Sequence, residues 1–216
     1  MKKRMYKIAS VVLCGVCCTV LFGGCAQEQP SAAGDYTTET ADAGNGTEDS
    51  SDSAETLSEN LDQIGEFSME DITGEVYTQE MFADYDVTMV NIFTTWCTPC
   101  INEIPDLEKL RNEMSDQGVN VVGIVLDAVD GTGSVDDEAV EKAGLLAENT
   151  GVTYPFLIPD DTFLNGRLYG INAVPETFFV DREGNVIGES YTGSRSLEEW
   201  KAVVEEKLAD VSGAAE

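Results

Sequence analysis

The sequence predicts a single α/β domain, a sheet flanked by helices, and three observations carry that expectation. The first is an apolar run rich in β-formers (Met89, Val90, Ile92, Phe93) that reads as a buried central strand. It leads into Trp96-Cys97-Thr98-Pro99-Cys100, beyond which Ile101, Ile104, Leu107, Leu110 and Met114 recur at helical spacing. The second is a nearly continuous apolar stretch, Val119, Val121, Val122, Ile124, Val125 and Leu126, the mark of a strand buried on both faces. The third is the alternation of strands and helices down the chain, closing with a hairpin and a helix, which describes an α/β sandwich.

In chain order, residues 1–24 open with Lys2, Lys3, Arg4 and Lys7 and continue as an apolar run over 8–22. A basic start, a short apolar core and small residues at the end make a secretory signal, and the run is too short to span a bilayer comfortably. The ending Gly23-Gly24-Cys25 resembles a bacterial lipobox, which would make Cys25 a lipidated N-terminus; ordinary secretion, or an uncleaved anchor, is the plainer alternative. Residues 25–60 are Ser, Thr, Gly, Ala, Asp and Glu with almost no large apolar side chain, so they are expected to form a disordered acidic tether. Such a coil reaches roughly 30–35 Å.

The domain itself is expected over 61–216. Short strands around Thr73-Gly74 fit a β-hairpin, and 79–85 a helical turn. After the two long strands and the cysteine helix, Ser134 or Asp136 caps a helix over 137–149 that Gly151 ends. A short strand over 154–159, a short helix over 162–169, a loop at Val174-Pro175 and strands over 177–180 and 186–191 follow. The last helix, from Ser196 to about Val211, has a capping box of Ser196 with Glu199 and an apolar face of Leu197, Trp200, Val203, Val204 and Leu208.

Composition narrows the function. The chain has 12 basic and 41 acidic residues, a net charge of −29, and four of the basic ones precede the first acid, Glu28. So acidic a surface repels phosphate backbones and anionic lipid, which excludes nucleic acid as a partner. The absence of histidine excludes histidine-based catalysis and the usual zinc and copper sites. Of six cysteines, Cys14, Cys17, Cys18 and Cys25 belong to the N-terminal run, leaving only Cys97 and Cys100 in the domain. Two close thiols would also suit half a zinc site, but the domain offers nothing to complete it.

The pair sits where a strand turns into a helix. Partial positive charge and free N–H groups at a helix N-terminus stabilise a thiolate, so Cys97 reads as a nucleophile and Cys100, one turn on and deeper, as the resolving thiol. Pro99 fits the helix start, where a missing N–H costs nothing. Pro105 sits mid-helix and should kink it. Glu103, one turn beyond Cys100 on the same face, can exchange its proton if burial raises its pKa, against the alternative of a solvated surface carboxylate. Trp96 reads as part of a docking surface beside the thiol.

The motif Trp96-Cys97-Thr98-Pro99-Cys100 with Glu103 and Pro105, joined by Ala173-Val174-Pro175-Glu176-Thr177-Phe178-Phe179-Val180-Asp181 and Glu183-Gly184-Asn185, resembles the extracytoplasmic, TlpA-like thioredoxin family of thiol–disulfide oxidoreductases. Weaker similarity covers 67–74 and the C-terminal helix. The resemblance implies a thioredoxin-like fold with a central mixed sheet and an extra N-terminal hairpin. It implies a redox-active Cys97–Cys100 disulfide without any other cofactor or metal, and Glu103 as proton acceptor in place of the strand aspartate of cytoplasmic thioredoxins, whose position here holds Asn91. It also implies a cis Val174–Pro175 bond against the disulfide, with Trp96, Thr98, Pro99, Val174, Pro175 and Glu176 meeting the substrate. Partners implied are disulfide-containing proteins and a membrane thiol–disulfide carrier as electron donor, on the outer face of a bacterial membrane, as in cytochrome c maturation. Rival readings are a disulfide-forming oxidant, a peroxide-reducing enzyme on the same scaffold, and a copper(I)-binding module using the two thiolates.

Overall fold

A computed structural model of the chain describes residues 62–213; the signal segment, Cys25 and the tether lie outside the described residues. Five strands form one mixed sheet in the order β5-β4-β3-β6-β7. Its centre is β3 (Val87–Phe93), parallel to β4 (Val119–Val125) and antiparallel to β6 (Glu176–Val180). The edges are β5 (Phe156–Leu157) and β7 (Tyr191–Thr192). A separate hairpin pairs β1 (Ser68–Glu70) with β2 (Val76–Thr78).

Every residue of β3 and β4 is buried, because both faces of these strands are covered. Val87, Met89 and Phe93 face a core completed by α1 (Thr98–Met114), α2 (Asp137–Thr150) and α3 (Leu197–Gly213), with Leu107, Leu110, Ala143, Trp200 and Val204. Val90 and Ile92, on the alternate positions, face Ile64, Phe67, Met69, Phe82, Leu164 and Leu168, so the hairpin forms part of the second core. Gly123 of β4 leaves room for the edge-to-face pair of Phe93 and Phe156, since a Cβ there would lie 2.8 Å from Phe156 Cδ1.

Helix ends follow their side chains. Asp136 caps α2 through the Glu138 and Ala139 amides, and Gly151 ends it in the left-handed conformation. Ser196 and Glu199 exchange bonds at the start of α3. Pro105 lies inside α1.

One expected element is absent and two strands are shorter than expected. Over 162–169 there is no helix: Phe163, Leu164 and Asn165 have φ of 48°, 51° and 56°, and Asp160 accepts from Thr162 and Phe163 to form a tight turn instead. Burial of Leu164 and Leu168 in the second core holds this left-handed segment in place. The strand expected over 186–191 shrinks to a bridge between Val180 and Val186 and then β7. Gly188 breaks it with a φ of 69°, and the Lys207 ammonium sits 3.1 Å from where its Cβ would stand. Likewise the strand expected over 154–159 is only Phe156–Leu157. Among the described residues no helix is long and apolar enough to cross a membrane.

Candidate active site

The C-terminal end of β3 delivers the chain into a short loop and then α1. Asp127, just past β4, accepts the Thr95 amide at 3.0 and 3.1 Å and the Thr95 hydroxyl at 2.6 Å, which pins this loop across the two parallel strands. Trp96 follows with 72% of its surface exposed. Cys97 is the N-cap residue of α1, its extended backbone turning the chain into the helix, and its sulfur takes a 3.4 Å contact from the Cys100 amide.

Cys97 and Cys100 form a disulfide with a Cα–Cα distance of 5.3 Å. Cys97 is 6% exposed and Cys100 not at all, so the first sulfur is the reachable one, through a narrow opening. A groove of about 500 Å³ borders it, lined among others by Trp96, Thr98, Pro99, Ile171, Ala173 and Val174. The Val174–Pro175 bond is cis, and the Val174 carbonyl oxygen lies 3.6 Å from Cys97 Sγ. Pro175 is buried, and its carbonyl accepts the Gly193 amide at 2.9 Å. A carbonyl beside the sulfur and exposed apolar surface around it suit an extended peptide laid across the disulfide.

Glu103 lies behind the disulfide. It is 3% exposed, and its carboxylate accepts the Trp200 indole N–H at 2.6 Å and the Arg195 amide at 2.7 Å on Oε1, with Asn91 Nδ2 at 3.4 Å from Oε2. Burial lifts the Glu103 carboxyl above its ordinary range, opposed by these donors and by the Arg195 charge. A second cavity, about 320 Å³, opens between α1 and the loop before α3, lined by Thr98, Pro99, Asn102, Glu103, Asp106, Ser194 and Arg195. A carboxyl poised to titrate, one turn from Cys100 and reached by solvent, can take and return a proton.

The structure thus brings Trp96, Cys97, Thr98, Pro99 and Val174 around one opening, with Cys100 and Pro175 buried next to them in the chain and Glu103 lining the second cavity. Glu176 lies apart. At the start of β6 it shares a sheet face with Phe178, over whose ring the Arg167 guanidinium stacks at 4.8 Å, and it interacts electrostatically with that arginine. Sequence reasoning missed Asp127, Arg195 and the polar role of Trp200. The last was detectable in principle, because an indole N–H on a buried helix face needs an acceptor.

The AhpC/TSA family model matches residues 61–188. The thioredoxin-like protein YneN of Bacillus subtilis is 30% identical over 139 residues, covering 64% of this chain and 75% of that protein. The thiol-disulfide oxidoreductase ResA of Geobacillus thermodenitrificans is 30% identical over 141 residues, 65% of this chain and 73% of its own. Among solved structures, a thioredoxin-family thiol:disulfide interchange protein from Chlorobium tepidum superposes with a TM-score of 0.55 at 26% identity, over 68% of this chain and 95% of that one.

Proposed function

The chain belongs to the AhpC/TSA family and is a thioredoxin-like thiol–disulfide oxidoreductase, and from that premise we propose that it is an extracytoplasmic reductant anchored to the outer face of a bacterial membrane. In this reading a lipid on Cys25 holds it there, more than one acyl chain giving stable attachment. Electrons come from a membrane thiol–disulfide carrier and pass to disulfide-containing protein substrates, in cytochrome c maturation or the repair of surface proteins. The Cys97–Cys100 pair itself carries them, without a further cofactor.

The cycle starts from the dithiol. Cys97 thiolate attacks one sulfur of the partner disulfide, breaking the S–S bond and releasing a partner thiolate that takes up a proton. Glu103 then accepts the proton of Cys100, whose sulfur attacks Cys97 Sγ and releases the second partner thiolate, which is protonated in turn. Two electrons have moved to the partner, and the carrier dithiol restores Cys97 and Cys100. Trp96, Thr98, Pro99, Val174 and Pro175 receive the partner chain, while Glu176 acts at most on partner choice through Arg167.

The observation that carries this reading is the Cys97–Cys100 disulfide at the mouth of α1, with buried Glu103 one turn below it. Measuring the potential of the pair tests the direction. A value well below that of protein disulfide isomerase, about −180 mV, is expected, and one well above it overturns the reductant reading. Replacing Cys100→Ser should trap partners on Cys97 as mixed disulfides, which identifies them.

A further inference from the structure

The two oxygens of Glu103 are held unequally. Oε1 accepts both the Trp200 indole at 2.6 Å and the Arg195 amide at 2.7 Å, whereas Oε2 has only the long Asn91 contact at 3.4 Å. An indole nitrogen and a backbone amide are donors with no lone pair to offer. A proton on Oε1 would face two N–H groups, so the neutral acid carries its proton on Oε2, the oxygen beside β3. Asn91 in turn donates to Thr177 at 3.0 Å, which orients its amide nitrogen toward the carboxylate.

The donors are themselves fixed. Trp200 is fully buried, packed edge-on against Phe179 and Tyr191. The Arg195 guanidinium lies 4.9 Å over the Tyr191 ring and 5.0 Å over the Trp200 ring, and bonds the Gly193 carbonyl at 3.1 Å. The loop that presents the Arg195 amide is therefore clasped to the same indole that presents the N–H.

We propose that Trp200 and the Arg195 amide form a carboxylate clamp, holding Glu103 in one orientation with its proton confined to Oε2, and so act as positioning residues for proton transfer during thiol exchange. The role in exchange rests on Glu103 being the proton acceptor for Cys100. Ionisable groups around the clamp are the cysteine pair and Asp106 on α1, Arg195 and Glu199 at the start of α3, Tyr154 from the loop before β5 and Tyr191 of β7. In the oxidised protein the cysteines do not titrate, and Glu103 is the carboxyl hydrogen-bonded to the indole N–H, while the Arg195 guanidinium and the Tyr191 ring pack against the indole ring.

Trp96 and Trp200 are the only tryptophans of the chain, so Trp96→Phe isolates the indole of the clamp. The emission of oxidised W96F should follow a single titration above the ordinary glutamate range, and W96F/E103Q should lose it. Emission that stays flat from pH 4 to 9, or that titrates unchanged without Glu103, overturns the clamp. Trp200→Phe removes one donor from the charged form, so the rising limb of insulin reduction against pH should move alkaline by about one pH unit. A folded W200F whose limb does not move overturns the positioning role. Should E103Q keep the limb while W96F emission still depends on Glu103, the proton-acceptor reading falls and the clamp stands.

Discussion

Replacing Asn91→Asp sets a second carboxylate against Glu103 in the middle of the sheet. Asn91 is 1% exposed, and its Nδ2 stands 3.4 Å from Glu103 Oε2. At that separation two full charges repel by about 5 kcal/mol with an effective dielectric constant near 20, equivalent to three or four pH units. The pair therefore keeps one proton to a higher pH than either carboxyl alone would and titrates as a unit. Thr177 can turn its hydroxyl to donate to the new carboxylate, which preserves that bond. The sign is fixed by linkage: the unfolded chain releases its proton near pH 4 and the folded chain only well above, so stability falls as pH rises between the two. Wild type already has this slope, because burial raises the Glu103 carboxyl. In urea unfolding of the oxidised protein, N91D should lose about 2–4 kcal/mol more than wild type between pH 5 and pH 8. An equal penalty at both pH values would show that the two groups do not interact, and would refute the geometry assigned to Glu103.

Gly123→Ala drives a Cβ to within 2.8 Å of Phe156 Cδ1 and 3.1 Å of Phe93 Cε1, so it should lower the urea-unfolding free energy by about 1–3 kcal/mol through overpacking. Asp127→Ala frees the Thr95 amide and hydroxyl, and should cost about 1–3 kcal/mol together with slower insulin reduction, as the loop carrying Trp96 and Cys97 loosens. Trp96→Ala should leave stability within about 0.5 kcal/mol, since the ring is mostly in solvent, yet raise the KM for a protein disulfide several-fold.

The central strands and α1 were legible because their apolar patterns have a single physical solution. The run from Met89 to Phe93 and the stretch after Val119 are buried on both faces, and the stripe from Ile104 to Met114 fits only a helix. Over 162–169 the pattern was ambiguous, as Leu164 and Leu168 have helical spacing but are buried by a left-handed turn that only the packed second core selects. Gly188 hides a similar constraint, because the pressure on it comes from Lys207, distant in sequence. At the site, Cys97, Cys100 and Glu103 follow from spacing along one helix. Their supports do not, since Asp127, Arg195 and Trp200 reach them across the fold and each has an ordinary surface or apolar explanation in the sequence.

The stitching of residues 62–64 to the turn after β6 has a directional consequence. Ile64 donates to the Gly184 carbonyl and Val186 to that of Asp62, at the end of β6 remote from the disulfide. The chain thus enters the domain at one pole and exposes its sulfur chemistry at the other. The point of attachment at Asp62 therefore leaves the Cys97 end of the domain unobstructed, free to receive a carrier or a substrate from any direction.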